Sequence, residues 1–179
     1  KVEIRPVTFP VSEKDRTSGI LSLPQKARPG RVVILAHGAA NDMTNPLMAA
    51  FADGLAQAGY PVLRFNFLYA DKKQKNPDGE PLLVSAWDAA YRFVREDSRL
   101  GEAEVIAAGK SLGGRIASQM AAQGRLQARR LIFLGYPLHR MGDPSSLHDG
   151  HLYRITVPML FIEGTRDPLC HTDVLRTVL

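Results

Sequence analysis

The chain has 179 residues, of which 45% are hydrophobic, and its formal net charge is +5 at pH 7. This length supports one well-buried core and is short for two, so we predict a single domain. No run approaches the roughly 20 consecutive apolar residues of a membrane helix, and the first ten residues lack the apolar core of a signal peptide. We therefore expect a soluble, cytoplasmic protein without a membrane partner.

Composition also bears on cofactors and partners. The single cysteine, Cys170, excludes an internal disulfide, and no cysteine and histidine spacing resembles a structural zinc site. We expect neither a metal nor an organic cofactor. The basic residues are scattered apart from Asp71–Lys75 and Arg125–Arg130, and no aromatic residues interleave them. Charge alone therefore gives little support to nucleic acid as a partner.

The predicted elements alternate along the chain. Less regular apolar runs at Val2–Phe9 and Gly19–Leu23 predict antiparallel strands at one sheet edge. Five short β-branched runs predict buried strands, namely Arg31–Ala36, Pro61–Phe67, Glu104–Ala108, Arg130–Gly135 and Pro158–Gly164. Apolar residues three and four apart predict helices between them. Strands that alternate with helices predict an α/β fold with a mostly parallel sheet.

Two segments without this periodicity are predicted to be long loops. Residues Tyr69–Glu80 are polar and contain Pro77 and Gly79, and a second such segment runs from Leu138 to His151. In open α/β sheets, ligands bind beyond the carboxyl ends of the strands. Functional residues should therefore be sought directly after each strand.

The clearest motif follows the Glu104–Ala108 run, where Gly109-Lys110-Ser111-Leu112-Gly113 fits the pattern Gly-x-Ser-x-Gly. In a nucleophile elbow, the serine occupies a strained turn between strand and helix and projects from the carboxyl edge of the sheet. The bare pattern arises by chance, but here a predicted strand precedes it and a helical pattern follows it. We predict that Ser111 is a catalytic nucleophile, with a glycine-rich turn in which Ser111 only caps the helix as the alternative.

A second candidate segment, His37-Gly38-Ala39-Ala40, follows the Arg31–Ala36 run. An acyl-transfer site needs N–H donors for the oxygen of the tetrahedral intermediate, commonly one after the nucleophile and one after the third strand. Leu112 and Ala39 are therefore the predicted oxyanion-hole residues. We expect His37 itself to pack and to form hydrogen bonds rather than to act in catalysis.

Asp167 follows the last predicted strand, in the segment Gly164-Thr165-Arg166-Asp167-Pro168. An acid in this place accepts the Nδ1 proton of a histidine, fixes its tautomer and stabilises the imidazolium that forms in the reaction. We predict this role for Asp167, with a simple Asp-Pro turn as the alternative.

Four segments, LAHGAAND, GKSLGGRIAS, LGYPLH and LFIEGTRDPL, together resemble the α/β-hydrolase superfamily, in particular proteins related to dienelactone hydrolases. The chain is most similar to a hydrolase-like family that includes testis-expressed and NSL-complex-subunit proteins and small bacterial relatives. The resemblance runs from about Val32 to the last residue. It implies the α/β-hydrolase fold: a mostly parallel central sheet, helices on both faces and an antiparallel N-terminal edge. It also implies that Ser111 is the nucleophile and Asp167 the acid, and it does not define a substrate.

The histidine that would complete this set is not evident. Chain order in the fold is serine, acid and then histidine, and only His171 follows Asp167. His171 begins a helical pattern whose apolar stripe, within residues 174–179, ends without a cap. We therefore predict one domain over residues 1–179 that lacks the final strand, the histidine loop and the closing helix. We also expect the apolar stripe to be left without a partner.

The remaining histidines and the cysteine have simpler interpretations. His139 lies at the functional edge, but no acid is placed to orient it, so it is a weak candidate for the base. We expect His148 and His151 to lie in a solvated loop, because no third or fourth metal ligand accompanies them. We expect Cys170 to be a small packing residue.

These observations favour a serine hydrolase whose partner is a small-molecule ester, thioester or related acyl substrate. Ser111 would attack the carbonyl, and a histidine beyond residue 179 would serve as base and then as acid. Two rivals come from other classes. One is a non-catalytic hydrolase-fold module that binds another protein, and the other is a nucleic-acid-binding domain, which would show steep salt dependence.

Overall fold

The computed structural model describes residues 1–179 and contains one seven-stranded sheet and a separate two-stranded hairpin. The strands are β1 (Val2–Pro10), β2 (Arg16–Pro24), β3 (Arg31–Ala36), β4 (Val62–Phe65), β5 (Glu104–Lys110), β6 (Ala128–Leu134), β7 (His139–Arg140), β8 (Asp143–Leu147) and β9 (Met159–Ile162). The order in the large sheet is β1-β2-β4-β3-β5-β6-β9, with β7 and β8 forming the hairpin. The pairs β1/β2 and β2/β4 are antiparallel and the remaining pairs of the large sheet are parallel. The predicted mostly parallel sheet with an antiparallel N-terminal edge is confirmed.

Five α-helices connect and cover the strands. They are α1 (Pro46–Gln57), α2 (Leu68–Asp71), α3 (Glu80–Glu96), α4 (Leu112–Ala122) and α5 (Thr172–Val178). The start of α1 follows from its sequence, since Pro46 occupies the first turn and the Asn45 side chain accepts the Leu47 N–H at 3.1 Å. None of these helices combines the length and apolarity that a membrane crossing requires.

The central strand β3 shows why the sheet is covered on both sides. Val32, Ile34 and Ala36 belong to the larger apolar cluster, whereas Val33 and Leu35 belong to a second cluster on the other face. All five side chains are buried, because successive residues of a strand point to opposite faces. A continuous apolar run is the expected pattern for such a strand.

Two sequence-based expectations about local structure are wrong and a third holds only in part. The predicted loop Tyr69–Glu80 is a loop over residues 72–79, but its start lies in α2 and Glu80 begins α3. Tyr69 in α2 is buried, and its N–H donates to Asp78. The predicted loop from Leu138 to His151 contains the β7–β8 hairpin. The apolar stripe near the end of the chain has a partner, because Leu175 in α5 is buried in the main core.

Candidate active site

Ser111 lies in a strained turn between β5 and α4. Its backbone φ is +48° and ψ is −115°, a conformation that side-chain-bearing residues rarely adopt. The Ser111 N–H donates to the Leu134 carbonyl at 3.0 Å, which ties the turn to the end of β6. The Ser111 side chain makes no capping hydrogen bond to α4. A helix cap therefore does not explain this serine, and a strained turn between strand and helix is the backbone geometry predicted for a nucleophile elbow.

The glycines around Ser111 allow α4 to pack directly against the strand ends. A Cβ atom on Gly113 would lie 2.5 Å from the His37 carbonyl oxygen and 2.7 Å from that of Ala36. A Cβ atom on Gly109 would overlap the backbone nitrogen of Gly114. The Gly113 carbonyl accepts the indole N–H of Trp87 from α3 at 3.1 Å. Close backbone contact thus fixes the position of the serine.

The loop after β3 lies beside this turn and is held by His37. The His37 ring is buried, its Nδ1 donates to the Gly38 carbonyl at 2.8 Å, and its Nε2 accepts the Phe67 N–H at 3.0 Å. Burial lowers the pKa of His37, and both ring nitrogens are engaged only in the neutral form. As expected from the sequence, His37 packs and forms hydrogen bonds.

Two backbone N–H groups beside Ser111 have no acceptor in the protein. The Gly38 carbonyl accepts from both His37 and the Tyr69 hydroxyl, the latter at 3.1 Å. Because C=O and N–H point to opposite sides of a trans peptide, this anchoring turns the Ala39 N–H away from both donors. The Leu112 N–H is also free, since it lies in the first turn of α4.

Ser111, Ala39 and Leu112 line one cavity of about 460 Å³. Its wall also carries Arg115 and Arg140, which are basic, and Asp78 and Glu80, which are acidic. Opposite charges therefore meet around an opening large enough for a small molecule.

Asp167 lies at the same sheet edge. Its N–H donates to the Gly164 carbonyl at 3.1 Å, and its Oδ1 accepts the Leu169 N–H at 2.9 Å. Oδ2 faces Gly135, where a Cβ atom would lie 3.4 Å away, and Gly135 directly follows the Leu134 that binds the Ser111 N–H. Ser111 and Asp167 therefore lie against two consecutive residues, Leu134 and Gly135, at the end of β6.

The ring nitrogens of His139 are both engaged in bonds to the backbone. Nδ1 donates to the Arg140 carbonyl at 2.8 Å and Nε2 accepts the His171 N–H at 2.9 Å. His139 lines the cavity but is itself buried. His148 also lines the cavity, and it is exposed.

The expectation of a solvated loop is wrong for His151, which is half-buried. Its Nε2 lies 2.8 Å from both the Ser118 Oγ and the Tyr136 hydroxyl. Ser118 is fully buried in the second turn of α4 and donates its proton to the Arg115 carbonyl at 2.7 Å. Sequence reasoning missed this cluster because no local pattern links residues 18 and 33 positions apart.

Comparison with known proteins agrees with this fold. A family model described as an alpha/beta hydrolase domain matches residues 29–178, so the chain belongs to the α/β-hydrolase family. Three solved structures share the fold. A serine hydrolase without a lid from Xanthomonas campestris has 21% identity and a TM-score of 0.76, covering 98% of this chain and 77% of its own. A dienelactone hydrolase from Anabaena variabilis has 19% identity and a TM-score of 0.71, covering 99% of this chain and 93% of its own. An esterase from Pyrococcus furiosus has 16% identity and a TM-score of 0.77, covering 98% of this chain and 76% of its own.

Proposed function

We propose that this protein is a serine hydrolase that cleaves a small ester, thioester or related acyl compound. The observation that carries the proposal is the Ser111 hydroxyl, which lines a cavity from a strained turn beside two backbone N–H groups without acceptors. Family membership and the esterase and dienelactone hydrolase among its structural neighbours support the same reaction class.

Each element of the site has a role in this mechanism. Ser111 attacks the carbonyl carbon, and the Ala39 and Leu112 N–H groups bind the oxyanion of the tetrahedral intermediate. Asp167 accepts a hydrogen bond from the Nδ1–H of a histidine and stabilises the imidazolium. Its Oδ2 atom is available for this bond, because the backbone donor, the Leu169 N–H, binds Oδ1. A second attack by water on the acyl-enzyme releases the acid and regenerates the serine.

The general base in this proposal is a histidine outside residues 1–179. His37 and His139 have both ring nitrogens engaged by the backbone, and His151 is bound to Ser118 and Tyr136. His148 lines the cavity, but neither of its ring nitrogens binds a carboxylate that would orient it. His171 is exposed at the start of α5 and does not line the cavity. Should residues 1–179 turn over an ester and lose this activity in His148→Gln, the base would be His148.

The experiment is labelling of the intact protein with a fluorophosphonate probe, followed by mass spectrometry of the labelled peptide. We expect one labelled serine, Ser111, and complete loss of labelling in Ser111→Ala. The matched control is Ser118→Ala, which removes the serine that is hydrogen-bonded to His151 and should leave labelling intact.

The outcomes separate the rival interpretations. Labelling that persists in Ser111→Ala and vanishes in Ser118→Ala would transfer the nucleophile to Ser118, against its burial and its bond to Arg115. A folded protein that is never labelled would favour the non-catalytic interaction module.

A further inference from the structure

Glu163 bridges the ends of two neighbouring strands at the candidate site. It directly follows β9, and its Oε1 accepts the backbone N–H of Tyr136, which lies just beyond β6. The chain then turns at Gly164, whose carbonyl accepts the Asp167 N–H. The Asp167 carboxyl, which follows this turn, lies close enough to the Glu163 carboxyl to interact with it.

The second oxygen of Glu163, Oε2, is buried and has no hydrogen-bond partner. The groups that face this carboxyl are the Asp167 carboxyl and the Cys170 thiol on its own segment, and the Tyr136 N–H from the β6 side. Asp167 offers only acceptors when ionised, and a thiol is a weak donor. Burial also raises the pKa of Cys170 to about 12, which keeps it a thiol.

A buried carboxylate oxygen without a donor is costly, and a proton on that oxygen removes the cost. Burial raises the pKa of Glu163 to about 7, against the lowering effect of the Tyr136 N–H, and the Asp167 charge raises it further. None of the groups facing Glu163 is a cation. The protonated acid then has one acceptor within reach, the Asp167 carboxylate.

We propose that Glu163 is a positioning residue that orients the Asp167 carboxylate by donating a shared proton to it. This inference rests on the proposed function, in which Asp167 binds the catalytic histidine. Asp167 receives the Leu169 N–H on Oδ1 and the Glu163 proton, and it keeps Oδ2 beside Gly135 for the histidine. When Glu163 ionises, this proton is lost and two negative charges face each other.

The decisive measurement is the carboxyl ¹³C shift of Glu163 and Asp167 in the folded protein as a function of pH. We expect Glu163 to titrate near pH 7 and the Asp167 carboxyl carbon to report the same transition. In Glu163→Gln, whose amide donates at every pH, the transition at Asp167 disappears. Glu96→Gln, at an exposed position of α3, is the matched control and leaves it in place.

Stability provides a second readout with a defined sign. A raised pKa means that the folded state binds more protons than the unfolded state between about pH 4.5 and 7. The stability linked to Glu163 is therefore present below pH 4.5 and is lost as pH rises through 7. Glu163→Gln should flatten this decline, and Glu96→Gln should not.

Turnover of an activated ester by the intact protein tests the positioning role itself. We expect Glu163→Ala to lower kcat about tenfold with little change in KM, and Glu163→Gln to restore kcat and remove the inflection near pH 7. Titration of Glu163 near its ordinary value of 4.5, or equal kcat loss in Glu163→Gln and Glu163→Ala, would overturn the proposal. Because the ¹³C titration needs no turnover, absent labelling of Ser111 would refute the proposed function separately.

Discussion

Tyr69 and His37 both donate a hydrogen bond to the Gly38 carbonyl, and this pair fixes the peptide that carries the Ala39 N–H. The two aromatic rings also contact each other edge to face, with centroids 5.8 Å apart. Neither side chain lines the cavity. Their proposed effect on the reaction is therefore indirect, through the direction of one backbone donor.

Tyr69→Phe removes one of these two hydrogen bonds and keeps the ring. Complete loss of an oxyanion donor lowers kcat about 10²- to 10³-fold, so loosening one should lower it about tenfold. We expect KM to change little, because the donor acts in the transition state. Steady-state kinetics with an activated ester test this, with Tyr91→Phe as control because its hydroxyl contacts Gln127 away from the cavity. Equal kcat in Tyr69→Phe and wild type would separate Tyr69 from the reaction.

Acid should destabilise the protein through His37. Burial lowers the pKa of His37 from 6.5, so below pH 6.5 the unfolded state binds a proton that the folded state refuses. The stability linked to His37 is therefore present above pH 6.5 and is lost as pH falls towards the lowered value. Urea unfolding at pH 7.5 and pH 5.5 measures the loss, and the ring resonances of His37 should titrate at a lower pH in the folded protein than in the unfolded protein. A folded-state titration at or above that of the unfolded protein would contradict this.

At the scale of elements, the contact between α4 and the ends of β3 and β5 depends on having no side chain at Gly109 and Gly113. The glycines are needed here because backbone meets backbone, as the Cβ positions show. The Ser111 turn is held between these elements and the Leu134 carbonyl of β6. A change in the packing of α4 should therefore affect both stability and the nucleophile.

Gly109→Ala should destabilise the fold by about 3 kcal/mol, since the added methyl group meets the Gly114 backbone and the core must shift. Gly54→Ala is the matched control, because Gly54 lies exposed in α1 with nothing within 4 Å of the added atom. It should stabilise the protein by about 0.5–1 kcal/mol through helix propensity. Urea unfolding of both variants measures the difference, and equal effects would disprove close packing at Gly109.

At the scale of the whole molecule, β9 is the outer strand of the sheet and pairs only with β6. Leu160 and Ile162 on this strand are 53% and 46% exposed. An exposed edge strand with apolar side chains offers both unpaired backbone groups and apolar surface to another chain. The opposite edge, β1, is more polar along its exposed residues.

We expect residues 1–179 to self-associate through β9 at micromolar concentration or above. Leu160→Lys should reduce the association without lowering the melting temperature by more than about 2 °C, because an exposed substitution costs little. Light scattering after size-exclusion chromatography measures this. Leu47→Lys is the control, since Leu47 is 51% exposed on α1, away from the sheet edge. Equal association in both variants would show that β9 is not the contact.

The sequence by itself determined the seven strands of the large sheet, the alternation of these strands with helices and the serine turn. These features depend on neighbours in the chain: β-branched runs form buried strands, and glycines beside Ser111 permit a strained turn next to a helix. The predicted placement of Ala39, Leu112 and Asp167 after their strands followed from the parallel sheet, whose strand ends meet at one edge. Periodicity and local backbone freedom were sufficient for this part.

Only the tertiary structure decided which polar groups meet. The Ser118–Tyr136–His151 cluster and the contact of Glu163 with the Tyr136 N–H join segments that no periodic pattern relates. The same holds for α2, where the Asp78 side chain, nine residues later in the chain, accepts the Tyr69 N–H. Burial and the pairing of donors with acceptors are properties of the packed chain, so the proton on Glu163 and the neutral ring of His37 emerge only when the strands lie side by side.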